Sequence, residues 1–350
     1  MHIPFSHSRR ASGVFVVLLS AALTGTIAEE ASAFLFRGRI RERIAERRAD
    51  REAAETTEAV TATAGVPGDH RYTIQHGGRE RWFTVHVPAS YSPDKAVPLV
   101  MNLHGGAGNP NQQRDDSRLD AVADANGFIV VYPAGTGRMS RERLLTWNIG
   151  EGDTYATKEN VDDIGFLRAV LDHVAANFAV DEKRIYVTGF SQGAFMCYRL
   201  ACEMSDRIAA IAPVGGVMLG PESRCKPERP VSIIHFHGVK DPNVAYAGGI
   251  GERAHDRIAR RSVEQTIAFW LKQNKLPEEP TTERRIGNAR LKRYGPGPDG
   301  VEVAVWSLEN GGHTWPGGDS SLPERMVGAV NRDIDASALA WEFLKKHARP

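Results

Sequence analysis

The chain has 350 residues, 25% of them charged and 41% hydrophobic, an ordinary make-up for a globular protein. Its formal net charge is +1 at pH 7, so no global field recruits nucleic acid or a membrane surface. A function driven by overall charge is excluded, and small neutral substrates stay open.

In chain order, His7, Arg9 and Arg10 precede an apolar run from Val14 to Leu23, and Ala31-Ser32-Ala33 follows. A basic start, a short apolar run and an A-x-A site read as a secretory signal peptide over 1–33. The run breaks at Thr24 and Gly25, short of the roughly 20 apolar residues of a span, so no span is expected in the mature form. Arg9-Arg10 invites the twin-arginine route, but Ala11-Ser12-Gly13 is a poor continuation, which leaves Sec and twin-arginine export both open. A secreted or periplasmic location is expected.

Residues 34–68 change character. Arg37, Arg39, Arg41, Arg43, Arg47, Arg48 and Arg51 alternate with Glu42, Glu46 and Asp50, and only a brief apolar face accompanies them. This reads as an exposed or disordered charged arm, with the Thr-, Ala- and Gly-rich stretch from Thr56 to Gly68 as a linker. The sharper alternative is electrostatic contact with an acidic cell envelope through Arg37–Arg51.

From 69 to 350, apolar runs alternate with helical patterns, as expected of one catalytic domain. Trp82–Val87 alternates at period two; Leu99–Leu103, Phe128–Tyr132, Arg184–Thr188, Ile208–Val214, Val231–Phe236 and Val301–Leu308 are further strand candidates. Several are nearly continuous apolar runs, as in parallel strands buried on both faces. Helices are expected at Leu119–Ala125, Ile164–Phe178, Ala194–Met204, Ser262–Gln273 and Ile334–His347, with Asn160 and Asp163 in a capping-box-like spacing. The alternation predicts an α/β fold, a doubly wound, mostly parallel sheet flanked by helices.

Three cysteines fall in this region. Cys197 and Cys202 lie five apart on a predicted helix, roughly 9 Å between Cα atoms and on different faces, too far for a bridge. Cys202 with Cys225 is the favoured pair, and Cys197 then reads as a small buried hydrophobe.

The strongest local signal is Gly189-Phe190-Ser191-Gln192-Gly193, between a predicted strand and a predicted helix. G-x-S-x-G at such a junction is a nucleophile elbow, a tight turn that exposes the serine hydroxyl. A serine needs a base, and the base an orienting acid, in the order Ser…Asp/Glu…His along the chain. Asp241 in His237-Gly238-Val239-Lys240-Asp241 and His313 in Gly312-His313-Thr314 each follow a strand and supply that order. Asp162 and Asp163 precede Ser191 and fit a helix first turn better. His235 and His237 come too early and read as buried, hydrogen-bonded core histidines.

Two N–H donors are needed for an oxyanion. One is expected from Gln192, the other from Gly106 or Ala107 in the turn His104-Gly105-Gly106-Ala107-Gly108. Trp147 and Trp315 fall in predicted loops and are expected to contact substrate. The pairs His104/His313 and His235/His237 lack metal-ligand spacing, and no phosphate or dinucleotide motif occurs, so neither metal nor cofactor is expected. These residues point to ester hydrolysis through an acyl-enzyme. A serine peptidase and a non-catalytic envelope-binding protein are the remoter alternatives.

Leu103-His104-Gly105-Gly106, Gly189–Gly193, His237-Gly238-x-x-Asp241-Pro242 and Gly312-His313-Thr314-Trp315-Pro316-Gly317 together resemble the polyhydroxybutyrate depolymerase family of esterases, with its secreted feruloyl and acetyl-xylan esterases. Val161–Leu167 and Arg199–Glu203 are similar to it as well, and the resemblance spans about Asp69 to Ala348. It implies the α/β-hydrolase fold, Ser191, Asp241 and His313 as the triad, and the Cys202–Cys225 bridge. The substrate implied is a short-chain hydroxyalkanoate ester or oligomer, with feruloyl or acetyl groups on plant polysaccharide as the alternative. The chain departs from the family at Ala107-Gly108, in its arginine-rich arm, and in showing no polymer-binding module after the last predicted helix.

Overall fold

The computed structural model describes residues 65–350 apart from residue 140. The signal peptide, the arginine arm and nearly all of the linker lie outside the described residues.

Six strands run parallel: β3 (Val97–Leu103), β4 (Ile129–Pro133), β5 (Val180–Phe190), β6 (Ala210–Val214), β7 (Ser232–Gly238) and β10 (Val303–Leu308). Antiparallel pairs extend both edges, β1 (Gly68–His76) with β2 (Arg79–Val87) on one side, β8 (Thr282–Ile286) with β9 (Ala289–Tyr294) on the other. The sheet order is β1-β2-β4-β3-β5-β6-β7-β10-β9-β8. Strands β3, β4, β6 and β7 are buried at every position, which is why they read as nearly continuous apolar runs, broken only by buried polar groups such as Asn102 and His235. Strands β1, β8 and β9 escaped the sequence reading: β8 is Thr-Glu-Arg-Arg-Ile and lies almost wholly exposed, so it has no apolar face to betray it.

The helices are α1 (Pro110–Ser117), α2 (Leu119–Asn126), α3 (Tyr155–Lys158), α4 (Asp163–Asn177), α5 (Gln192–Glu203), α6 (Val263–Gln273), α7 (Glu324–Val327) and α8 (Ala336–Leu344). The five expected helices are present with bounds shifted by less than a turn. Helix α1 was not expected because its sequence, Pro-Asn-Gln-Gln-Arg-Asp-Asp-Ser, has no apolar periodicity; Asn109 caps it by accepting from the Gln112 N–H. The cap of α4 is a correction. Asp162, not Asn160, accepts from the Gly165 N–H at 2.9 Å, and Asn160 stands upstream at φ 46°. Ser262 and Gln265 form a complete capping box at the start of α6.

One face of the sheet is covered by α4, α5 and α6, burying Phe166, Val170, Met196, Tyr198 and Trp270. The other is covered by α2 and α8, where Trp341 stacks on Phe128 with ring centroids 4.0 Å apart. The disulfide Cys202–Cys225 is present, and Cys197 is a buried free thiol. Among the described residues, no helix is long and apolar enough to cross a membrane. The C-terminal ends of β3, β5, β6, β7 and β10 open on one rim, and that rim carries the residues described next.

Candidate active site

Ser191 stands between β5 and α5 with φ 54° and ψ −113°, a left-handed backbone that a non-glycine residue holds only under constraint from its surroundings. The constraint is steric. A Cβ on Gly193 would lie 2.1 Å from the Leu103 carbonyl oxygen, and one on Gly189 would lie 2.8 Å from the Gly193 backbone. Only glycine allows α5 to start this close to β3 and β5, and the tight start lifts the serine hydroxyl off the rim. The free N–H groups of the first turn of α5 face the same point.

His313 lies in the loop after β10, beside α7, where its own N–H donates to the Val327 carbonyl at 2.5 Å. Its Nε2 meets Ser191 Oγ at 2.9 Å and its Nδ1 donates to Asp241 Oδ2 at 2.6 Å. The Phe190 ring packs on the imidazole at 4.7 Å. Asp241, in the loop after β7, has a fully buried side chain. Its Oδ1 accepts from the Asn243 and Val244 N–H groups, each at 2.8 Å. Burial pushes this carboxyl up, but the facing His313 and the backbone donors outweigh it and hold it below the usual carboxylate value. A stable carboxylate, an imidazole fixed in its Nδ1–H form and a serine hydroxyl facing its bare nitrogen form one hydrogen-bonded line. Such a line can withdraw the serine proton as the oxygen attacks.

The turn after β3 faces Ser191 from the other side. Gly108 N–H closes it on the Gly105 carbonyl at 3.1 Å, and Ala107 takes φ 60°. A Cβ on Gly106 would come within 2.5 Å of the Gln192 side-chain nitrogen, so the amide of Gln192 covers this glycine. His104 anchors the turn. Its Nδ1 donates to the Gly105 carbonyl at 2.8 Å, and its Nε2 accepts from the Gly135 N–H at 2.9 Å. Burial pushes its pKa down to about 4, so the ring is neutral at pH 7, as the accepting Nε2 requires.

Both tryptophans differ from expectation. Trp147 is fully buried: its ring packs on His104 at 4.9 Å and its indole N–H donates to the His104 carbonyl at 2.9 Å. Trp315 is also buried and donates to Ser337 Oγ at 3.0 Å. Neither offers a free ring face to a ligand, because a loop tryptophan that finds a carbonyl or hydroxyl partner packs inward like any large apolar group. Trp147 instead supports the glycine turn, a role its position before Asn148 did not reveal.

The sequence reading also missed the buried ion pair Arg81–Asp163, at 2.7 Å. Asp163 accepts from the Asn148 N–H at 2.7 Å, Arg81 donates to the Ala134 carbonyl at 3.0 Å, and the guanidinium lies over Phe166. The pair therefore pins the segment that carries Trp147. The available signal was Arg81 on a strand that otherwise buries apolar groups.

Among the described residues, Asp69, His86 and Asp120 bring three ligand atoms within 4.8 Å. Arg114 donates to both carboxylates, so a cation there would meet a guanidinium already in place. A cavity of about 370 Å³ is lined by Glu151, Met218, Gly220, Arg260, Arg261 and Gln265 among others, and none of Ser191, His313 and Asp241 lines it.

The sheet, the elbow and the Ser191–His313–Asp241 line together define an α/β-hydrolase. Residues 83–242 match the family model described as esterase PHB depolymerase. The "Putative esterase NocK" of Nocardia uniformis subsp. tsuyamanensis is 28% identical over 76% of this chain and 80% of its own length. Feruloyl esterase B of Piromyces equi is 30% identical over 76% of this chain, which spans 45% of that protein. The acetyl xylan esterase from Aspergillus awamori superposes with a TM-score of 0.51 at 16% identity, covering 70% of this chain and 94% of that one, a likeness of fold. The chain is thus similar to the polyhydroxybutyrate depolymerase and feruloyl esterase-like family of carboxylic ester hydrolases.

Proposed function

We propose that the protein hydrolyses carboxylic esters through an acyl-enzyme, with Ser191 as nucleophile, His313 as general base and acid, and Asp241 as the group that orients and charge-balances the imidazole. The observation that carries this reading is the unbroken line from Ser191 Oγ through both nitrogens of His313 to Asp241, at 2.9 and 2.6 Å. Ser191 Oγ bonds to the ester carbon while its proton passes to His313 Nε2. The carbonyl oxygen becomes an oxyanion facing the N–H of Gln192 and that of Gly106 or Ala107. His313 then protonates the departing alkoxide, and water repeats the sequence in reverse to free the acid.

For the substrate we favour a short acyl group on a polyhydroxylated alcohol. The relatives named feruloyl esterase and acetylxylan esterase support this, since the esters those names state are carried on a hydroxyl-rich polysaccharide. The second reading, 3-hydroxybutyrate oligomers, is favoured by the family pattern over 83–242. Export is supported by the leader-like pattern over 1–33 and by the disulfide, which persists in oxidising compartments. The arginine arm is proposed as an envelope contact that hydrolysis does not need.

Rates on acetylated xylan, methyl ferulate and 3-hydroxybutyrate oligomers, measured side by side, decide the substrate; a preference for the oligomer overturns the polysaccharide assignment. A peptide panel in the same assay tests the peptidase alternative. With p-nitrophenyl acetate, Ser191→Ala is expected to lower kcat by about 10⁴-fold or more. Retained turnover would end the acyl-enzyme reading.

A further inference from the structure

Behind Asp241 runs a second buried line that the reaction above does not use. Tyr198 on α5 meets His235 Nδ1 at 2.8 Å, and His235 Nε2 meets His237 Nδ1 at 3.2 Å. His237 Nε2 lies 2.8 Å from the Val244 carbonyl and 3.4 Å from Asp241 Oδ2, the oxygen that also receives His313. The three side chains are closed to solvent.

The proton positions follow from the partners. The Val244 carbonyl only accepts, so His237 Nε2 carries hydrogen. Burial favours the neutral form of both rings and outweighs the pull of Asp241 on His237. His237 Nδ1 is therefore bare and accepts from His235 Nε2–H. That leaves His235 Nδ1 bare, and the Tyr198 hydroxyl donates to it. The reverse order would set a bare His237 Nε2 against a carbonyl and a carboxylate, so only one arrangement satisfies every atom.

We propose that His237 is a positioning residue for ester hydrolysis: the Tyr198–His235–His237 line keeps a hydrogen on its Nε2, which holds the Val244 carbonyl, and so fixes the turn whose Val244 N–H donates to the carboxylate that orients His313. The inference rests on the reading of Ser191, His313 and Asp241 as the reacting line. A neutral donor steadies the turn without adding a positive charge that would compete with the imidazolium. Besides Asp241 and His235, the ionisable groups facing His237 are His313, Glu264 and Tyr246, whose ring meets it edge-on at 5.7 Å.

The test uses kcat and KM on p-nitrophenyl acetate, with pH profiles, for His237→Leu, His237→Gln, Tyr198→Phe, Asp241→Asn and the double variant His237→Leu/Asp241→Asn. His237→Leu is expected to lower kcat about tenfold with KM within about twofold, and His237→Gln, which keeps an N–H at that reach, to recover most of the loss. The acid limb of kcat/KM in His237→Leu moves up by about 0.3 pH unit, because a carboxylate without a fixed Val244 donor holds the imidazolium more strongly. In the Asp241→Asn background, His237→Leu adds nothing, since the two act as a unit. Wild-type kcat in a folded His237→Leu, or losses that multiply with those of Asp241→Asn, overturns the proposal. If His237→Leu fails to fold, Tyr198→Phe carries the test: about a threefold loss of kcat that vanishes in Asp241→Asn supports it, and no loss overturns it. Asp241→Asn at wild-type rate would instead refute the reacting line itself.

Discussion

Around Ser191 the chain is positioned by contacts that leave no room for a side chain, Gly193 against the Leu103 carbonyl and Gly106 beneath the Gln192 amide. Asp241 and His313 lie 72 residues apart, and hydrogen bonds to each other and from the backbone N–H groups of Asn243 and Val244 hold them instead. Steric positioning is all-or-none: a methyl fits or the helix moves. Positioning by hydrogen bonds is graded, because one donor among several can be lost and the rest keep the geometry approximately. The Ser191 side should therefore fail abruptly under small substitutions and the His313–Asp241 side in steps.

Gly193→Ala breaks this comparison most severely if it proves mild. The Cβ placed at 2.1 Å from a carbonyl oxygen forces α5 away from β3, and soluble protein, if any forms, should show esterase activity at background. Gly106→Ala has a flexible side chain to displace instead of backbone, so the fold should survive. Tilting the Gln192 amide and the turn should cost kcat about 10²-fold on p-nitrophenyl acetate, the scale of losing one oxyanion donor. Trp147→Phe keeps an aromatic ring but removes the rest of the buried indole and its N–H from the His104 carbonyl. A drop of about 1–3 kcal/mol in unfolding free energy by urea titration, with a several-fold fall in kcat, is expected.

The smallest effect separates the two sides by pH. His104 is held at about 4 when folded, against about 6.5 for an unperturbed histidine. Below pH 6.5 the unfolded chain binds the proton first, so this stability is lost as pH falls from 6.5 to 4 and levels off below; at pH 5 the loss is about 2 kcal/mol. Asp241 works at another range: a carboxyl held below its unfolded value contributes above pH ~4 and loses that only as pH falls through its lower folded pKa. Amide exchange in the Gly105–Gly108 turn should accelerate between pH 6.5 and 5, after correction for intrinsic rates, while amides at Asn243 and Val244 stay protected. Simultaneous loosening would remove the distinction.

The parallel strands and the elbow were legible because each is a local pattern: Phe128–Tyr132 is continuously apolar, and Ser191 stands in a five-residue motif at a junction. Asp241 and His313 were legible from their order along the chain. The supports were not, since each depends on a partner far away in sequence. Arg81 and Asp163 are 82 residues apart, Trp147 and the His104 carbonyl 43 apart, and a tryptophan's loop position does not tell which way it turns. Strand β8 failed for another reason: its exposed, charged residues carry no period to read.

That same strand has a consequence for how the molecule behaves in bulk. β8 ends the sheet, and its outward backbone groups are a template on which a strand from another copy could add. Glu283, Arg284 and Arg285 are exposed along it, and Arg285 pairs with Glu309. A second copy adding in register would stack like charges and bury ion pairs, so growth from this edge is disfavoured. The residues that hid the strand from the hydrophobic pattern are the ones that guard it against aggregation.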